Sequence, residues 1–231
     1  MLYFYVIMSL LRRCFVISEQ QNYLYIIFTS THTGIGTVVK FITRNKYSHV
    51  SVSLDPRLEK MYSFTRFYEN TPLIAGFSEE SPLRYCSDSD EVTYVKICRI
   101  PISRETYDEI SCYLERLARD SQEYLYNYFS LLLAPTGRRL YIPHAFTCLE
   151  FAVHLLSLFS ISGISDNRYY SIIDLENILN DYRIYEGDMA AIAYPQGWGN
   201  DFYPERLEGK IKICTSSAKR VGRLIYRLLS A

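Results

Sequence analysis

Between Ser48 and Leu54 the chain alternates strictly: Val50, Val52 and Leu54 fall on one face, and His49, Ser51 and Ser53 on the other. A period of two predicts a half-buried strand. The turn-forming run 55–60 follows, and then Met61–Phe67, so the two runs predict a hairpin. Tyr23–Phe28 has strand composition, Glu91–Ile100 predicts a strand buried on both faces, and Arg183–Gly187 predicts another. Elsewhere the spacing is helical. Ser103 is placed to cap a helix whose apolar positions are Tyr107, Ile110, Leu114 and Leu117. Tyr124–Pro135 predicts a packed segment closed by Pro135 and Gly137, and Cys148–Phe159 an apolar helix preceded by Pro143 and Thr147. Short helices are expected at Asp174–Leu179 and, after the loop Thr29–Gly36, at Thr37–Thr43. The stretch Ser216–Ala231 predicts a basic amphipathic helix.

Strands and helices in this order predict the α+β class, with an antiparallel sheet packed against helices. No repeat or Pro/Gly/Ser linker divides the chain, so one domain is expected over 23–205. An apolar element at 1–22 would precede it and the basic helix at 206–231 would follow.

Composition narrows this further. Of 231 residues 48% are apolar and 22% charged, enough to bury a core and too few charges for a disordered chain. Lys plus Arg and Asp plus Glu are 25 each, a balance that argues against a nucleic-acid partner. The 22 Tyr suit half-buried strand surfaces, where a ring packs and a hydroxyl stays wet. Cys14, Cys86, Cys98, Cys112, Cys148 and Cys214 contain no CxxC pair, which excludes a zinc ribbon and disfavours a disulfide framework. The apolar run at the N-terminus is about eleven residues, short of the ~20 that cross a membrane. Arg12 and Arg13 follow that run, the reverse of a signal peptide. It reads as a buried segment or a dispensable leader, with Met8 an alternative start and a cytoplasmic location expected.

Two residues of this scaffold can act as a nucleophile and its base. His49 opens a strand whose polar face would turn the imidazole toward a groove, and Cys148 stands in the first turn of a helix capped by Thr147. Helix-end amides and the macrodipole stabilise a thiolate there and can hold a tetrahedral oxyanion. A thiolate beside an imidazole is an activated nucleophile with its own acid and base. Buried cysteines and single strand histidines are more often structural, so spacing alone leaves the inert reading ahead.

Other clusters carry less. THTGIGT lacks the Lys-Ser/Thr ending of a phosphate loop, and His144, Cys148 and His154 lack the spacing and the further ligand of a zinc set. No cofactor and no metal is therefore expected. Glu79-Glu80 and Asp88/Asp90 stand in Ser-rich sequence and read as solvated loops, and Trp198 reads as the anchor of an ordered loop. Val221, Leu224, Ile225, Leu228 and Leu229 form one stripe with Lys219, Arg220, Arg223 and Arg227 around it. Such a stripe most often docks on the protein's own core; peripheral membrane contact through 217–231 is the second reading.

The runs Tyr47–Asp55, Met61–Phe64 and Phe146–Phe151 resemble the circularly permuted NlpC/P60 group of papain-like cysteine enzymes. In that group the His strand precedes the Cys helix, and the Cys often stands in a C-S-E-apolar motif. The order and Glu150 match, while Leu149 replaces the usual small residue. The resemblance spans about Tyr23–Phe159 and implies a permuted papain-like α+β fold. It also implies thiol-dependent hydrolysis or acyl transfer on a peptide, lipid or protein amide or ester, with Cys148 as nucleophile and His49 as base. A polar residue on the next strand would orient the imidazole, and Ser63 is the nearest candidate. Serine stabilises an imidazolium less than a carboxylate does. A catalytically inactive papain-like module that binds a peptide or acyl chain is the competing expectation.

Overall fold

The computed structural model describes residues 21–31, 45–86, 92–193 and 206–230. The apolar N-terminal run, the helix expected at Thr37–Thr43, the Asp88/Asp90 pair and Trp198 lie outside the described residues.

The fold is α+β around one antiparallel sheet. Its strands are β1 (Asn22–Thr29), β2 (His49–Ser53), β3 (Met61–Arg66), β4 (Ala75–Glu80), β5 (Tyr94–Ile102) and, after an intervening pair, β8 (Arg183–Asp188). They lie in the order β4-β3-β2-β1-β5-β8, and each neighbouring pair is antiparallel. The expected hairpin forms, with Val52 opposite Tyr62. The intervening strands β6 (Leu125–Tyr126) and β7 (Ala145–Phe146) make a short parallel pair of their own.

Both faces of the sheet are covered. On one face Leu24, Ile26, Phe28, Val50, Val52 and Phe64 join the main core with α1 (Arg104–Arg119) and α3 (Cys148–Leu158). On the other, Tyr25, Ile27, Met61, Val95, Ile97 and Met189 form a second cluster. Strand β2 is therefore buried throughout, whereas its alternation predicts a polar face open to a groove. The polar residues Ser51 and Ser53 face a buried layer and are bonded within it.

Helix α1 is the one expected from Ser103, whose hydroxyl accepts the Thr106 amide at 3.0 Å, with Ile110, Leu114 and Leu117 inward. The segment expected to pack as a unit at Tyr124–Pro135 is divided. Asn127 accepts the Ser130 amide at 3.1 Å, so α2 (Tyr128–Leu133) starts only after β6. Helix α4 (Ile172–Ile178) and the short α5 (Ala190–Ala193) precede the last helix, α6 (Lys210–Leu229). Helix α6 docks on the domain: Leu224 is buried beside Leu125, Ile142 and Ala145. Arg220 reaches the Ala75 carbonyl, while Arg223 and Arg227 bind Glu123. No described helix is long and apolar enough to cross a membrane.

Candidate active site

Helix α3 begins at Cys148 because its first turn is closed by a capping box. Thr147 accepts the Glu150 amide at 3.1 Å, and Glu150 accepts the Thr147 amide at 2.7 Å. The first intrahelical bond is Phe151 to Thr147, at 3.0 Å. The amides of Cys148 and Leu149 are thus the two first-turn donors that neither the box nor the helix uses.

The Cys148 sulfur lies within electrostatic reach of His49, the first residue of β2. The other side of the imidazole is held by Glu80, the last residue of β4, with His49 Nε2 3.0 Å from Glu80 Oε1. An ionised carboxylate only accepts, so Nε2 carries the proton and Nδ1 is the nitrogen left for the thiol. Glu80 is fully enclosed, and every contact on it is from a donor. Ser51 Oγ donates to the same oxygen as His49, Tyr85 donates to Oε2 at 2.5 Å, and Arg84 Nε lies 3.8 Å from Oε2. Arg84 and Tyr85 belong to one turn of 3-10 helix, Pro82–Tyr85, that folds back directly after β4. The Tyr85 ring also lies 5.6 Å from the imidazole, centre to centre.

These contacts set the charges. Burial pushes the His49 imidazolium down, but the Glu80 carboxylate and the Cys148 sulfur outweigh it and raise the group to about 10. Burial pushes Glu80 up, and His49, Arg84 and Ser51 together bring it down to about 2. The two shifts leave a cationic imidazole held between a carboxylate and a sulfur.

Tyr126, from β6, lines the same cavity as the Cys148 sulfur; burial, and after it the neighbouring sulfur, raise this phenol well above its ordinary value, so its hydroxyl keeps its proton. Beyond the sulfur opens a small cavity of about 60 Å³. Leu131, Ala134, Leu149, Val153, Tyr170 and Ile172 supply its apolar lining.

Of the residues expected from sequence, Cys148 and His49 come together, while Ser63 does not orient the ring. Its hydroxyl donates to the Val50 carbonyl at 2.9 Å, and the imidazole's partner is Glu80. Ser63 lies on the central strand of the β4-β3-β2 triplet, and the longer Glu80 side chain reaches His49 and Ser51 over that strand. The solvated-loop reading of Glu79-Glu80 fails, since both residues lie in strand β4: Glu79 is exposed but paired opposite Tyr62, and Glu80 is 1% exposed. The histidines near Cys148 are engaged elsewhere. His154 Nδ1 lies 3.0 Å from Asp166 Oδ2, and His144 stacks on Tyr124 at 5.2 Å. Comparison with protein-family models, with curated proteins and with solved structures finds no match to this chain.

Proposed function

We propose that this chain is a thiol-dependent hydrolase or acyltransferase of permuted papain-like, NlpC/P60 type, acting on an amide or ester. The observation that carries the reading is the line Cys148–His49–Glu80, in which the carboxylate is bonded to the imidazole, the imidazole is within reach of the sulfur, and the sulfur stands at a helix N-terminus on a pocket. The order of the chain supports it as well, since the His strand precedes the Cys helix.

In this mechanism His49 Nδ1 holds the proton of the Cys148 thiol, and the sulfur attacks the substrate carbonyl carbon. Negative charge passes from sulfur to the carbonyl oxygen. The Cys148 amide, which neither the cap nor the helix uses, and the Tyr126 hydroxyl are the donors assigned to that oxygen. As the oxyanion collapses, the bond to the leaving amine or alcohol breaks and His49 gives that group its proton. Water, or an acceptor alcohol or amine, then loses a proton to His49 and attacks the thioester, which releases the acyl product and restores the thiol. Throughout, Glu80 keeps the ring oriented and balances its positive charge.

Iodoacetamide labelling of the folded chain, followed by peptide mapping, tests this. Cys148 is expected to label faster than the exposed Cys112 and Cys214 in mildly acidic buffer, and His49→Ala should slow it by about tenfold or more. Cys86 and Cys98, which burial raises to about 11, should label slowest. Cys148 reacting no faster than Cys112, with or without His49, overturns the enzyme reading and leaves a groove kept for binding.

A further inference from the structure

The pocket beside Cys148 is apolar along its walls and carries three charged side chains, Glu150, Arg139 and Arg168. Two of the three are already answered from within the protein. Glu150 accepts the Thr147 amide at 2.7 Å and so closes the capping box. Arg139 grips Asp166 through both its carboxylate and its carbonyl, and Asp166 is held in turn by His154. Arg168 differs. It is exposed, its guanidinium lies 4.4 Å from the centre of the Tyr170 ring, and among the described residues it pairs with no carboxylate. Its charge acts on Asp174, whose Oδ2 is taken by the Ser171 amide at 2.8 Å and the Ser171 hydroxyl at 2.7 Å.

An arginine laid flat on an aromatic ring keeps its edge donors free, and those donors match a carboxylate or phosphate. The apolar walls between it and Cys148 exclude a strongly hydrated chain and favour hydrocarbon. We infer that the acyl group accepted by this site is an apolar chain ending in an anionic group, with the scissile carbonyl at Cys148 and the anion at Arg168. This deepens the proposed function and rests on it for which end reacts.

Two measurements on the full chain separate the inference from the reading beneath it. In the first, p-nitrophenyl esters of butyric, hexanoic and octanoic acids are compared with the half-esters of succinic, adipic and suberic acids. At one or more lengths the half-ester is expected to exceed its uncharged partner in kcat/KM by about tenfold, the scale of one charge-assisted contact. Arg168→Ala should remove that gain and leave the uncharged series near wild type. Arg168→Lys, which keeps the charge and loses the planar fork, should restore part of it. Hydrolysis of both series without preference overturns the inference and leaves the hydrolase reading intact. In the second, Cys148→Ala is titrated calorimetrically with suberamic acid and with octanamide. Preference for the acid, lost in the double variant with Arg168→Ala, supports the pocket assignment even where no ester is cleaved, in which case only the hydrolase reading falls. Equal or absent binding of the two overturns the inference.

Discussion

Glu80 holds a negative charge in the interior because donors reach both of its oxygens: His49 and Ser51 on one, Tyr85 and Arg84 on the other. Removing the charge while keeping the shape isolates what it does for the imidazole. In Glu80→Gln, His49 loses its strongest cationic support, so the alkaline limit of activity should move to lower pH, and kcat/KM should fall by about two orders of magnitude. Ser63→Ala removes only a hydroxyl bonded to the Val50 carbonyl, so it should cost about 1 kcal/mol of stability and leave the pH profile unchanged. A shifted profile in Ser63→Ala with a normal one in Glu80→Gln would return the orienting role to Ser63. The sequence carried the thiol and the imidazole openly: a helix cap before Cys148 and an alternating strand from His49 are local patterns. It hid the carboxylate, because no local pattern tells which of two adjacent glutamates in a Ser-rich run turns inward. The nearest sign of burial was Arg84 and Tyr85 one turn later, and their convergence on Glu80 depends on the chain folding back after β4.

At the level of elements, periodic segments were legible and the edge strand β4 was not. Helices α1 and α3 follow from their caps and apolar spacing, and β2–β3 from alternation and a turn. Strand β4 has no β-branched residue and a single large apolar one, Phe77, so nothing in its composition separates it from a loop. It forms because β3 pairs with it along its whole length, from Met61 opposite Glu80 to Arg66 opposite Ala75. Gly76 then has a particular task. A Cβ there would collide with the Tyr124 carbonyl oxygen, so glycine lets the segment leading into β6, and with it Tyr126, lie against β4. Strand β6 is held by two residue pairs and is the weaker partner, so Gly76→Ala should displace Tyr126 before it displaces Glu80. The expected result is a loss of about 2 kcal/mol in stability and a fall in kcat, with the alkaline pH limit, set by His49 and Glu80, retained. If the alkaline limit moves as well, the clash is being relieved through β4 and the carboxylate, and Tyr126 is not its main target.

For the molecule as a whole, the buried charge line makes folding stability a function of pH in two windows. His49 is raised from 6.5 to about 10 by folding, so its contribution is complete below 6.5 and is lost as pH rises through about 10. Glu80 is lowered from 4.5 to about 2, so its contribution is complete above 4.5 and is lost as pH falls through about 2. Together the pair stabilises most between 4.5 and 6.5, on the acid side of neutrality. The partners come from opposite sides of β3, and Cys148 arrives from a separate helix, so the line ties three elements of the main layer together. Urea unfolding across pH should therefore show a midpoint that declines from mildly acidic to alkaline buffer. The double variant His49→Gln, Glu80→Gln keeps side chains of similar size without the charges. Its midpoint should be flatter across both windows, because neither position then takes up a proton on folding or unfolding. Single variants make the comparison sharper. Glu80→Gln should lose the acid window and shrink the alkaline one, whereas His49→Gln, which strands a carboxylate beside Arg84 and Tyr85, should cost about 3 kcal/mol near neutral pH. A wild-type midpoint that is level from mildly acidic to alkaline buffer would mean that His49 is neutral in the folded protein. That outcome would replace the imidazolium between Glu80 and Cys148 with an uncharged hydrogen bond.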